Sequence, residues 1–212
     1  SVRGKPPVLL IHSVNAAASS FEMRPLFERL SKQRRVIALD LPGFGFSSRN
    51  DRDYTPALMS DAIVEFIRLV LKNGPVDVVA LSLGAEFVAL AAQAHPALFR
   101  TITLISPTGF GPRARALRPN PGLLRALRFP FWRVPVFDLL VSRPSLRYFT
   151  QQSARKRVPH AFTDYAYAVG HQPGSEHAPL AFLAGKLFTP TIFETYQGLQ
   201  QPSLLVYGND PF

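Results

Sequence analysis

No stretch of this chain constrains its fold more than Val76–Gly84. Val76-Asp77-Val78-Val79-Ala80-Leu81 reads as a buried strand that breaks at Ser82, and a helical pattern runs at once from Leu83 to Ala94, closing before Pro96. A strand that turns into a helix without a linker needs a tight bend. Small residues, Ala80 and Gly84, sit two positions before and two after the serine. That is the pattern of a nucleophile elbow, here with Ala80 where the usual pattern has Gly. The serine oxygen is then expected at the top of a sheet beside a helix N-terminus, whose partial positive charge favours a developing anion.

The flanking sequence repeats the strand–helix alternation. Pro7–Ile11 is an apolar run ending in His12-Ser13-Val14-Asn15, and Ser20 is the expected cap of a helix over Phe21–Lys32. Arg35–Leu39 is the next run and ends in the loop Asp40-Leu41-Pro42-Gly43-Phe44-Gly45-Phe46-Ser47. Thr55 caps a helix that has Pro56 at its first position, Gly74 past its end and one apolar face made by Ile63, Phe66, Ile67, Val70 and Leu71. Thr101–Ile105 and Ser203–Tyr207 complete five strands. Continuous apolar strands alternating with helices predict a parallel sheet covered on both faces. Ligands bind such sheets at the carboxyl ends of the strands, where His12, Asp40, Ser82, Ser106 and Asp210 all fall.

The 212 residues suit one domain, or one domain with an insertion. No apolar run reaches the roughly 20 residues that span a bilayer. With no cysteine, a disulfide framework and thiolate metal sites are excluded, and a cytoplasmic location is expected. The net charge of +10 is concentrated. Between Arg113 and Arg157 lie eleven basic residues and one acid, Asp138, while the rest of the chain is balanced.

Four motifs together resemble the α/β-hydrolase superfamily. They are Leu10-Ile11-His12-Ser13-Val14 for its strand-then-His-Gly loop, Asp40-Leu41-Pro42-Gly43-Phe44-Gly45-Phe46-Ser47 for its Pro-Gly loop, Ala80-Leu81-Ser82-Leu83-Gly84 for the elbow, and Gly208-Asn209-Asp210 for its acid turn. The resemblance is greatest to the capped hydrolases, which include esterases, lactonases and carbon–carbon bond hydrolases. It implies an α/β-hydrolase fold with the five strands in the spatial order 2-1-3-4-5 and a helical cap between the fourth and fifth strands. The core would be residues 1–110 and 201–212, and the cap 111–200. It also implies Ser82 as nucleophile, Asp210 as the acid that orients an imidazole, and the backbone N–H groups of Val14 and Leu83 as the oxyanion hole. Neither a metal nor an organic cofactor is implied. The function expected is hydrolysis of a carboxylic ester or related acyl bond of a small substrate, which the basic cap would suit if anionic. The alternatives are a carbon–carbon bond hydrolase of vinylogous diketones and a non-catalytic binding protein of this fold.

Besides Ala80, the sequence departs from the family pattern in four places, the first being that only six residues precede Pro7, where the family has two antiparallel strands. Ser13 replaces the usual Gly. Glu86 stands where a small residue is common, and its place on the first helical turn is explained by the helix dipole. The catalytic histidine of the family follows the acid, whereas this sequence ends two residues past Asp210; an excerpt or processed chain is expected. His12 belongs to the oxyanion loop and, with Tyr165 and His171, is a candidate for substrate contact. His95 ends the elbow helix, and His160 and His177 lie in the cap; none is assigned as base.

The cap interleaves apolar and aromatic residues with Arg125, Arg128, Arg133 and Arg143. This suits either helices packed on the core with solvated arginines or a lid with affinity for an anionic substrate or a membrane surface. The apolar runs that interrupt the arginines argue against nucleic-acid binding.

Overall fold

In the computed structural model, which describes residues 5–72, 74–110, 118–152 and 157–208, the strands form one parallel sheet in the order β2-β1-β3-β4-β5. The strands are β1 (Val8–Ile11), β2 (Val36–Leu39), β3 (Val76–Leu81), β4 (Phe99–Ile105) and β5 (Ser203–Val206). All residues of β1 are buried, as its unbroken Val-Leu-Leu-Ile run requires. It lies between β2 and β3, with Ile11 opposite Leu39 on one side and Ala80 on the other. From β1 the chain goes to one neighbour, β2, and then crosses to the other, β3. The order therefore reverses between β1 and β3, and a crevice opens at the carboxyl ends of those two strands. Ser82 and the loop from His12 sit there.

Helices α1 (Arg24–Leu30), α2 (Pro56–Val70) and α3 (Gly84–Ala94) belong to this core. The first begins later than the expected Phe21. A 3₁₀ turn occupies Ser20–Met23, preceded by Ser19 rather than Ser20 as its cap residue. Pro25, near the start of α1, has no N–H to extend an α-helical ladder backwards. Thr55 caps α2 as expected, its Oγ1 accepting from Leu58 N–H at 3.1 Å. Beyond Val70 it is Lys72, not Gly74, that takes a left-handed conformation, φ 57°.

Between β4 and β5 lie α4 (Pro121–Leu127), α5 (Arg133–Leu140), α6 (Arg143–Gln152), α7 (His160–Gly170), α8 (His177–Leu183) and α9 (Ile192–Gln197). Their packing divides this insertion. Ala178, Ala181 and Leu187 join the main core with the sheet and α2–α3. Phe137, Val141, Leu146, Ala166, Val169 and Leu180 form a second cluster that includes Ala17 of the core. Ion pairs Arg128–Asp51 and Lys186–Asp53 tie the insertion to the loop before α2.

Candidate active site

Ser82 has φ 52°, a left-handed backbone that costs an L-residue roughly 1–2 kcal/mol. The bend is held from both sides. Ser82 N–H donates to Ile105 O at 2.9 Å, and Ser82 O accepts from Ala85 N–H at 3.0 Å as α3 begins. The small flanking residues have a measurable reason. Ala80 is wholly buried in the middle of the sheet. A Cβ on Gly84 would lie 2.2 Å from His12 O, so only glycine lets the first turn of α3 approach the loop after β1 this closely.

That loop is fixed by its own side chains. His12 is fully buried; its Nε2 accepts from Leu41 N–H at 3.0 Å, which puts the ring proton on Nδ1, 2.5 Å from Ser13 O. A substrate-contacting His12, expected as one option from the sequence, is therefore corrected: both ring nitrogens are used inside the protein. Ser13 does not need the glycine it replaces, since its φ is not positive. Its N–H and Oγ both donate to Glu22 Oε2, at 3.0 and 2.6 Å, and Asn15 Nδ2 donates to Glu22 Oε1 at 2.7 Å. Glu22 thus clamps the loop, and Ser13 N–H is occupied. The next amide, Val14 N–H, has no acceptor among the described residues, and neither does Leu83 N–H. Neither amide is taken up inside the protein, which is what a donor to a bound oxygen requires.

The Pro-Gly loop lies beside them. Asp40 accepts from Ser20 N–H at 2.7 Å and Phe46 N–H at 2.9 Å. Gly45 closes over this carboxylate, where a Cβ would sit 2.0 Å from Asp40 Cγ. Phe46, at the loop's tip, meets Tyr165 edge-on at 5.7 Å, and Phe21 stacks on the same ring at 4.4 Å. Tyr165 therefore brings α7 over the Pro-Gly loop and the turn that follows the His12 loop. Burial, then the charge of Asp40, raises its hydroxyl pKa above the usual tyrosine range. His171 departs from the expected substrate contact. It is exposed at the end of α7, with Nδ1 2.8 Å from Tyr167 O and its ring against Tyr167 at 4.0 Å.

Glu86 is the largest surprise. An acid explained by the helix dipole alone was expected, but the side chain is buried and hydrogen-bonded. Oε1 accepts from Thr108 Oγ1 and Oε2 from Thr189 N–H at 2.8 Å. Thr108 lies where the chain leaves the core for the insertion, and Thr189 where it returns. One carboxylate on the first turn of α3 therefore ties both stems of the insertion to the helix that follows Ser82. Burial raises its pKa, opposed by the hydrogen bonds from Thr108 and Thr189. The hydroxyl of Tyr196 on α9 is buried nearby, and its pKa is raised by burial and by the Glu86 charge. The sequence carried a signal for this: Glu86 interrupts a helix otherwise made of Gly, Ala, Phe, Val and Leu up to Gln93. An acid in such a helix is buried and must be hydrogen-bonded. Glu22 had no comparable signal.

Asp210, expected to orient an imidazole, lies outside the described residues. All five histidines are described, and none hydrogen-bonds Ser82. His95 meets Arg68, and His177 lies 3.7 Å from both Asp51 and Glu176 carboxylates.

Comparison with known proteins agrees with this fold. The solved structure of a serine hydrolase involved in carbazole degradation superimposes with a TM-score of 0.77 at 22% identity, covering 97% of this chain and 72% of that one. Among curated proteins, mouse 1-acylglycerol-3-phosphate O-acyltransferase ABHD5 is 31% identical over 133 residues, 60% of this chain and 37% of that protein. The 2-hydroxy-6-oxo-6-(2'-aminophenyl)hexa-2,4-dienoic acid hydrolase of Metapseudomonas resinovorans is 31% identical over 104 residues, 49% of this chain and 36% of that protein. These alignments thus span little more than a third of each relative. The family described as alpha/beta hydrolase fold matches residues 6–211, nearly the whole sequence, and the chain belongs to that family.

Proposed function

We propose that the protein is a serine hydrolase that cleaves a carboxylic ester or related acyl bond of a small substrate through an acyl-enzyme on Ser82. The observation that carries this reading is the strained Ser82, set at the sheet's reversal point; the amides assigned to the oxyanion, Val14 N–H and Leu83 N–H, have no acceptor among the described residues. Strain at a left-handed non-glycine residue is retained where surrounding structure imposes it, and such positions cluster at active sites.

The chemistry then follows. Ser82 Oγ bonds to the carbonyl carbon while an imidazole takes its proton. The carbonyl π electrons move to oxygen, where Val14 N–H and Leu83 N–H hold the anion. Collapse re-forms the carbonyl and breaks the bond to the alcohol, which leaves with the proton. Water attacks the acyl-enzyme by the same route and releases the acid. None of His12, His95, His160, His171 and His177 hydrogen-bonds Ser82 among the described residues, and none is assigned as that imidazole. Asp210 is assigned to orient it, by family resemblance. The aromatic cover of Phe21, Phe46 and Tyr165 would seat the acyl or leaving group.

A second reading is cleavage of a carbon–carbon bond in a vinylogous diketone by the same nucleophile. Similarity to the hexa-2,4-dienoic acid hydrolase favours it. A panel of p-nitrophenyl esters assayed beside a 2-hydroxy-6-oxo-dienoate separates the two. Faster turnover of the esters, measured as kcat/KM, supports the ester reading. Preference for the dienoate moves the assignment to carbon–carbon hydrolysis. Turnover of neither removes both.

A further inference from the structure

We infer that the outer face of the insertion, centred on residues 129–139, binds an anionic lipid surface. α5 buries a single side chain, Phe137. Phe131 is 84% and Leu139 73% exposed, and Phe129, Trp132, Val134 and Val136 are each 44–50% exposed. All six lie within eleven consecutive residues, on α5 and the turn before it, and the rings of Phe129 and Trp132 meet at 4.6 Å. Soluble surfaces seldom carry apolar patches this dense unless something covers them.

Charge selects what covers this one. The surrounding run from Arg113 to Arg157 has eleven basic residues against Asp138. Arg128, Arg133 and Arg143 are already held by Asp51, Glu176 and Asp164. Arg125 and Arg147 are exposed and have no ion pair among the described residues. A groove of about 430 Å³ on α4 is lined by Arg125 and Arg128 together with Leu124, Phe129 and two prolines. Its lining joins guanidinium groups to apolar carbon, and an anionic lipid surface offers partners for both. A second copy of the chain is a poor partner, because a two-fold contact through this face would set arginines against arginines. No helix among the described residues is long and apolar enough to cross a membrane. Shallow insertion of Phe131 and Leu139 and attraction of Arg125 and Arg147 to lipid headgroups act together, as in interfacial binding generally.

The test is flotation of the purified protein with vesicles of phosphatidylcholine alone, or of phosphatidylcholine mixed with phosphatidylserine. The mixed vesicles should bind at least about tenfold more protein at low salt, and added salt should reduce binding. Arg125→Glu and Arg147→Glu should each lower it about fivefold or more, since each basic group near such a surface contributes on the order of 1 kcal/mol. Phe131→Asp with Leu139→Asp should abolish it. All four positions are exposed, and matching melting curves show that each variant folds. Equal binding to both vesicle types, or variants that bind like the wild type, would overturn the inference. So would a dimer in sedimentation that the same variants dissolve, or tighter binding to duplex DNA than to the mixed vesicles. None of these readouts involves turnover, so they stand or fall independently of the hydrolase reading.

Discussion

Residues 80–87 and residues 129–139 are both largely apolar, and they pack in opposite ways. In the first stretch Ala80, Leu83, Ala85 and Phe87 are at most 1% exposed, and Gly84 touches the backbone of a distant loop. In the second, most apolar side chains face outward around the one anchor, Phe137. The contrast shows where the fold has spent its specificity. Ser82 is held by strand pairing, by the approach of His12 O and by the Glu86 hydrogen bonds, all from different parts of the chain. The outer insertion is held by Phe137, by a small cluster beneath it and by ion pairs at its rim. A left-handed serine persists only in surroundings of the first kind. A surface of the second kind can exchange its outer contacts without disturbing the core.

Substitutions at five positions test this contrast. Ser82→Ala should lower turnover by at least about a thousandfold while moving the melting temperature very little, since alanine keeps the same backbone and only the hydroxyl is lost. Turnover near the wild-type rate would show that the strained position is structural. Gly84→Ala drives a methyl into His12 O and should cost roughly 1–3 kcal/mol, read as a lower denaturant midpoint. An unchanged midpoint would mean that the close approach is not a constraint.

Glu86→Ala comes next. It leaves Thr189 N–H and Thr108 Oγ1 without their acceptor, at about 1–3 kcal/mol for each buried group that stays unpaired. Glu86→Gln should be milder, because its carbonyl can still accept from Thr189 while Thr108 rotates to accept from its amide. The pH dependence has a definite sign. The folded-state pKa of Glu86 is raised by burial, so between the ordinary glutamate value and the raised one the native state binds more protons than the unfolded chain. The Glu86 contribution to stability therefore falls as pH rises through that window, and glutamine removes the fall. The melting temperature of Glu86→Gln relative to wild type should climb from acidic to neutral pH. A constant difference would mean that Glu86 does not titrate there. Smallest of all, Phe131→Ser and Leu139→Ser should each stay within about 0.5 kcal/mol of wild-type stability, as exposed positions do. A loss like that of Gly84→Ala would show that the outer face is packed after all.

Much of the core could be read from the sequence, and the reason is local. Val8–Ile11 and Val76–Leu81 are runs whose apolar continuity predicts buried parallel strands, and Ser82 between small residues predicts the bend. The strand order followed from family resemblance and matches the sheet. What escaped was tertiary. Nothing near Ser13 in sequence reveals that Glu22, nine residues on, would take its N–H and hydroxyl. Glu86 looked like a first-turn acid because its partners, Thr108 and Thr189, lie 22 and 103 residues away. His171 was expected to contact substrate from its helix-end position, yet its ring turns back on Tyr167. In the insertion, short helices broken by proline have too little periodicity to fix which side faces the core. Phe137 rather than Leu139 is the anchor for reasons of packing alone.

The central claim is that Ser82 is an activated nucleophile. The most direct test is the intact mass of the purified protein before and after a fluorophosphonate probe, with Ser82→Ala alongside. The account predicts one phosphonyl adduct on the wild type, mapped to Ser82 by peptide sequencing, and none on the variant. A wild-type protein that stays unlabelled, or an adduct that persists in Ser82→Ala, would contradict it and leave a hydrolase fold whose elbow does no acyl chemistry.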